Sequence, residues 1–278
     1  MIRVVTLDSR NEHGFATTGL HKHATQLQDA EIDILCCQGL WRSKDGSADE
    51  TRILADALRM PYSCFIANQH RQSRMGVKAD GVSGLAILAG VGMWMLNSGC
   101  FQVIGESEGA KGVVQYALVR KNDTSLLVLN LQLCGSAPSQ LQQLHALFSH
   151  SILKERYGAV LLSGNRHIKL SAKKLQQTVT GEANTSPHRH LASSTVSPGT
   201  GMLCMLTAIE HPVAAVTLRG TGQTSDPDQP GFPNRQASLS LDFELDRIPQ
   251  GRKSKPCLPM SFEENWSGYK GKVPVCAA

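Results

Sequence analysis

The chain has 278 residues, 41% of them hydrophobic and 18% charged, with 28 Lys and Arg against 23 Asp and Glu. That length and balance suit one large mixed domain with a full core, spanning 1–278, and exclude a disordered or collagen-like chain. No window approaches 18 uninterrupted apolar residues, so no membrane-spanning helix is predicted.

Apolar runs and helical spacings alternate along the chain, which predicts an α/β fold. Ile2–Leu7 reads as a strand and Gly19–Gln28 as a helix. Ile32–Gln38 is a nearly continuous apolar run, the pattern of a central strand buried on both faces. Ser47-Ala48-Asp49-Glu50 has capping-box spacing, and Ile53, Leu54, Ala57 and Leu58 continue at helical intervals. Tyr62–Ala67 is the next strand, Arg71–Asp80 a polar loop and Gly84–Leu88 a further strand. Phe101–Ile104, Val113–Val119 and Leu126–Leu133 follow as strands, the last two joined by the turn Lys121-Asn122-Asp123-Thr124. A second capped helix is predicted over Ser139–Tyr157, with Leu141, Leu144, Leu147 and Phe148 on its apolar face. Ala159–Ser163 is a short buried strand, Leu170–Gln177 a helix and Glu182–Thr200 a surface loop. Met202–Ala208, Val213–Leu218 and Ser238–Leu245 complete the strands, with a Pro/Gly loop over Gly220–Arg235.

None of the eight cysteines stands in a C-x-x-C pair, and several sit inside apolar runs, where a thiol behaves as a small hydrophobe. The first residues read as strand rather than as a signal peptide, so a reduced, cytoplasmic protein is predicted. His21/His23 and His188/His190 lack a third ligand fixed by spacing and read as surface histidines. No Gly-rich phosphate loop and no nucleophile-elbow Ser is present in the sequence.

Several segments together resemble the endonuclease/exonuclease/phosphatase superfamily, the deoxyribonuclease-I-like proteins. Ile2–Asp8 resembles the opening strand that ends in Asn, and Asp33-Ile34-Leu35-Cys36-Cys37-Gln38-Gly39 resembles the strand D-I-[LV]-x-x-Q-E. Gly84–Leu88 resembles G-x-A-I-L, Leu127–Leu133 the strand ending in a catalytic His, and Val160–His167 the segment [IV]-L-x-G-D-F-N. Leu241-Asp242-Phe243 is similar to a late I-D-Y, and Ser267-Gly268-Tyr269 stands where S-D-H is usual. The resemblance implies a four-layered α/β sandwich, two mixed and mostly antiparallel sheets flanked by helices, with a Mg²⁺-dependent phosphoesterase cleft.

The catalytic positions that the resemblance brings with it are altered throughout. Gly39 replaces the Glu that would hold the metal, and glycine offers no side-chain ligand. Gln132 stands for the transition-state His, Asn165 and His167 for the Asp and Asn of G-D-F-N, and Gly268 and Tyr269 for the late Asp-His pair. Asp8 replaces the early Asn, while Gln38 is kept. Asn165 cannot ionise and so cannot serve as a base. A degenerate member is therefore expected: a non-catalytic binding or regulatory protein with no resident metal. The alternative is a divergent Mg²⁺-dependent nuclease or phosphoesterase with a rearranged site built from Asp8, Asp242 and His167.

The remaining feature is the basic segment 247–278. It holds Arg247, Arg252, Lys253, Lys255, Lys270 and Lys272 against Glu263 and Glu264. A solvated face is the ordinary reading of such a segment. Arg247, Arg252, Lys253 and Lys255 are the candidates for weak polyanion or nucleic-acid binding, and a protein partner is the other expectation.

Overall fold

A computed structural model of the chain describes residues 1–9, 30–74, 77–105, 111–155 and 157–164, the strands within 189–245, and isolated helical positions within 20–28 and 174–181. Among the described residues twelve strands form two six-stranded sheets. In chain order they are β1 (Ile2–Asp8), β2 (Ile34–Ser43), β3 (Tyr62–Arg74), β4 (Val77–Ala89), β5 (Trp94–Ile104) and β6 (Lys111–Lys121). They continue with β7 (Thr124–Gln132), β8 (Ala159–Gly164), β9 (Arg189–Ser197), β10 (Gly201–Ala208), β11 (Val213–Thr221) and β12 (Ser238–Leu245). One sheet runs β11-β12-β1-β2-β4-β3 and the other β5-β6-β7-β8-β10-β9. Each holds a single parallel pair at its centre, β1 with β2 and β7 with β8; the other pairings are antiparallel. Helix α1 (Glu50–Leu58) covers the outside of the first sheet and α2 (Ala137–Ser149) the outside of the second.

This layering explains the apolar runs. Ile2, Val4, Ile34, Cys36, Ile87, Val128, Leu161 and Phe243 fill the space between the sheets. The alternate residues Val5, Leu7, Leu35 and Leu88 pack outward with Leu54 of α1 and with Leu20, Ala24 and Leu27. Leu127, Leu129, Leu131, Val160 and Leu162 likewise meet Leu144 and Leu147 of α2. A strand that is buried on both faces has no polar face to alternate with.

Several boundaries differ from the sequence reading. The Arg71–Asp80 loop is absorbed into the long hairpin of β3 and β4, and β5 begins seven residues before Phe101. Within that hairpin Gly84 is demanded by packing: a Cβ there would stand 1.9 Å from the Ile66 carbonyl oxygen. Part of Glu182–Thr200 is strand β9, whose polar run pairs with β10 through the backbone. Helix α1 is capped by Asp49, which accepts from the Arg52 N–H, rather than by Ser47. Glu50 instead turns inward and accepts from the Trp41 N–H at 2.7 Å. Helix α2 is capped by Ser136 with Pro138 in its first turn, and stops at Ser149 rather than Tyr157. A short 3-10 turn, Ser151–Leu153, follows it. Among the described residues no helix is long and apolar enough to cross a membrane.

Candidate functional site

At one end of the sandwich the inter-sheet face turns from apolar to polar. On β1 the inward residues Ile2 and Val4 give way to Thr6 and Asp8, and on β2 Ile34 and Cys36 give way to Gln38. On β7 Leu126 and Val128 give way to Asn130 and Gln132, and on β8 Ala159 and Leu161 give way to Ser163. Parity and register make these substitutions converge. Asp8 lies beside Gln38 across the parallel pair of the first sheet, and Asn130 beside Ser163 across that of the second.

The converging side chains form a hydrogen-bonded cluster joining the sheets. Gln38 Nε2 donates to Asn130 Oδ1 at 2.6 Å and to Thr6 Oγ1 and Ser163 Oγ at 3.2 Å each. Ser163 donates to Thr6 Oγ1 at 2.7 Å, and the Thr6 hydroxyl returns a long bond of 3.4 Å to Gln38 Oε1. Asn130 Nδ2 donates across the sheets to the carbonyls of Cys37 at 2.9 Å and Ala86 at 3.1 Å, and to Gln115 Oε1 at 3.3 Å. Gln115 Nε2 donates in turn to the Cys64 carbonyl at 3.0 Å. Nearer the rim Asn68 Nδ2 donates to Gln132 Oε1, tying β3 to β7. Gln38, Asn130, Gln115 and Ser163 are fully buried. A buried network of this kind is stabilising only because its members satisfy one another.

Gly39 follows Gln38 at a β-bulge, where the pairing with β4 slips between Gln38 and Leu40. Its φ of +77° lies in the left-handed region, which glycine enters without the Cβ clash that other residues meet. The bulge also turns Leu40 outward, into the layer beneath α1. Beside the cluster, burial pushes the Cys36 thiol up to about 12, partly offset by its hydrogen bond with Ser163. Burial also holds the Cys37 thiol well above its usual value. Neither thiol is a nucleophile near neutral pH.

Of the positions read from the sequence, the structure brings together Asp8, Gln38, Gly39 and Gln132 at one rim. It places Asp242 elsewhere, which corrects the reading of that residue. On β12 the inward residues are Leu241 and Phe243, so Asp242 projects to the outer face. There it pairs opposite Arg3 and receives Arg3 Nε at 2.7 Å and Nη2 at 3.1 Å. Register also sets Asp242 five residues along β1 from Asp8, about 17 Å at strand rise. Asn165, His167, Gly268, Tyr269, Arg247, Arg252, Lys253 and Lys255 lie outside the described residues. The sequence reading passed over Thr6, Asn130, Ser163 and Gln115. Their signal was available: polar residues at inward parity, near strand ends for Thr6, Asn130 and Ser163 and mid-strand for Gln115.

No family model matches the chain, and no curated protein matches it in sequence. Solved structures do match in shape. Truncated TDP2 of Caenorhabditis elegans superposes with a TM-score of 0.59 at 13% identity, over 87% of this chain and 96% of its own. The mannosyl-6-phosphatase Bt3783 of Bacteroides thetaiotaomicron gives 0.58 at 10% identity, over 88% and 100%. The human Nocturnin catalytic domain, solved with a bound sulfate anion, gives 0.58 at 13%, over 88% and 93%. The chain therefore has the deoxyribonuclease-I-like fold of endonuclease/exonuclease/phosphatase proteins.

The described residues at the rim do not fit the Mg²⁺ that this fold family implies. Mg²⁺ wants hard, preferably anionic oxygens in octahedral array. Here Gln38 and Asn130 are neutral amides engaged with each other, Gly39 has no side chain, and Asp8 is the one carboxylate among the described inward residues of β1, β2, β7 and β8. No group of three His, Cys, Asp or Glu able to hold a metal occurs among the described residues.

Proposed function

We propose that this chain is a degenerate member of the endonuclease/exonuclease/phosphatase superfamily, a binding or regulatory protein that does not hydrolyse phosphoesters. The observation that carries this reading is the amide and hydroxyl cluster at the strand ends. Its hydrogen bonds run among its own side chains and to neighbouring backbone carbonyls, whereas phosphoester hydrolysis needs ionisable groups or a metal held ready for a phosphate and a water. The displacement of Asp242 to the outer face also removes one of three residues on which a rearranged hydrolase site was built.

The test is direct. The purified full chain is incubated with Mg²⁺ or Mn²⁺ and with duplex DNA, RNA and an aryl phosphate, and its melting is followed with and without metal. The reading expects no metal-dependent cleavage and no rise in Tm. Chelator-sensitive cleavage that is lost in Asp8→Asn overturns it.

The partner surface we propose is the basic segment 247–278, through weak, salt-screened attraction to polyanions. Neutralising Arg252, Lys253 and Lys255 together lowers heparin or duplex DNA affinity at low salt. Binding that survives the triple substitution unchanged refutes this part.

A further inference from the structure

A concavity lies at the end of the sheets opposite the amide cluster, where β1 and β2 begin. It encloses about 400 Å³, within the range of roughly 300–1,000 Å³ in which small-molecule sites fall. Its polar floor is already paired. Arg3 is held by Asp242 on one side and donates to the Ala30 carbonyl on the other. Lys121 Nζ contacts Asp33 Oδ1 at 2.7 Å, while Asp33 Oδ2 accepts from the Arg3 N–H at 2.8 Å. Leu27, Ile32, Leu58 and Val91 supply apolar wall, and Val91 is 81% exposed.

Two further lining residues, Glu31 and Arg59, have backbones of a kind that is costly for anything but glycine. Among the described residues three non-glycines have positive φ: Glu31 at 48°, Arg59 at 54° and Asn122 at 53°. Asn122 sits in the β6–β7 turn, where asparagine tolerates that region. The other two line this one cavity. Arg59 occupies the left-handed position that ends α1, where glycine would be cheaper, and its side chain is exposed. Left-handed non-glycine residues persist where surrounding structure holds them, and they gather at ligand sites. With Arg3 and Lys121 paired to Asp242 and Asp33, and the Met1 ammonium 3.9 Å from Glu244, the exposed Arg59 and Glu31 add one cation and one anion against an apolar wall.

We propose that this cavity binds a small apolar zwitterion, of the class of a free amino acid such as leucine or phenylalanine. Arg59 receives its carboxylate, Glu31 its ammonium, and Leu27, Ile32, Leu58 and Val91 its side chain. The site is independent of the amide cluster at the other rim.

Titration calorimetry of the full chain with L-leucine and L-phenylalanine, alongside N-acetyl-L-leucine and L-leucinamide, tests it. Millimolar or tighter binding of the free amino acids is expected, weakened about tenfold or more in both blocked compounds, as for loss of a charged hydrogen bond. Arg59→Gly and Glu31→Gly separate binding from folding, because each relieves the left-handed strain. Each should raise the Tm of the ligand-free protein by roughly 2–4 °C and weaken amino-acid binding about tenfold. Absence of binding to the parent chain, equal binding of the blocked compounds, or binding unchanged in both glycine variants overturns the proposal.

Discussion

Asn130→Asp is the sharpest probe of the inter-sheet cluster, because it changes one NH₂ to one oxygen with almost no change of shape. In the native chain Asn130 Nδ2 faces three acceptors, the carbonyls of Cys37 and Ala86 and Gln115 Oε1, while its Oδ1 takes the 2.6 Å bond from Gln38. An aspartate would keep that last bond and set a buried negative charge against the other three oxygens. Breaking a buried polar arrangement so that a charge is left uncompensated costs about 3–5 kcal/mol. Protonation restores one O–H donor toward those carbonyls, so the carboxyl of the folded variant titrates above the unfolded value of about 3.9. The sign follows from linkage. The variant differs least from the parent below that value, and loses stability by up to about 1.4 kcal/mol per pH unit as pH rises through the folded-state pKa. Asn130→Leu is the control: it also removes the donor but cannot ionise, so its cost of about 1–3 kcal/mol does not change with pH. Urea denaturation followed by circular dichroism, between about pH 4 and pH 8, measures both variants. A pH dependence shared by the two, or an Asn130→Asp protein within 1 kcal/mol of the parent at neutral pH, refutes the account.

Other expectations rest on single contacts. Arg3→Met strands the buried carboxylate of Asp242 and should cost about 3 kcal/mol or more, most of it recovered in Arg3→Met/Asp242→Leu; equal stability of the single and double variants by urea melts counts against this. His150 stacks on Phe101 at 4.0 Å and accepts the Ile152 N–H through Nδ1, and its burial holds the imidazole below its usual 6.5. The unfolded chain therefore takes up a proton first, and stability falls as pH drops below 6.5; His150→Asn should flatten that fall in thermal melts. Gly39→Glu with Asn165→Asp should bind Mn²⁺ more tightly than the parent by calorimetry, without turnover. The side chain at 39 should also cost about 1–2 kcal/mol, because of its left-handed backbone.

The inner strands were legible because burial on both faces leaves an unbroken apolar signature, as in Leu126–Leu133 and Ala159–Ser163. Strand β9 was not, because Arg189–Ser197 is polar and is held by backbone pairing to β10, which leaves no hydrophobic period to read. The extension of β3 and β4 through Arg71–Asp80 was hidden for the same reason. Asp8, Gln38 and Gln132 could be placed at one rim because each ends a strand whose direction the apolar pattern indicates. The alternation Leu239-Ser240-Leu241-Asp242-Phe243 already sets Asp242 on the face away from Leu241 and Phe243; what no local pattern reveals is its position along β1, which the register of β12 fixes opposite Arg3. The exchange of hydrogen bonds among Thr6, Gln38, Asn130 and Ser163 is equally non-local, since its partners come from four separate strands.

Arg3 and Asp242 stand 239 positions apart in the chain, and that separation bears on how the molecule comes to be made. During synthesis β2 emerges soon after β1 and can cover one of its edges. The other edge waits for β12, the last of the first sheet's described strands, whereas the second sheet's described strands are all made by Ala208. At roughly 5–20 residues per second on the ribosome, that edge of β1 stays bare for about 10–50 s. A nascent chain in that interval presents unpaired backbone and the apolar Val4, Val5 and Leu7 to its surroundings, the kind of surface that chaperones hold and aggregates recruit. Truncations before Ser238 should therefore appear in the insoluble fraction, while chains extending past Leu245 remain in solution.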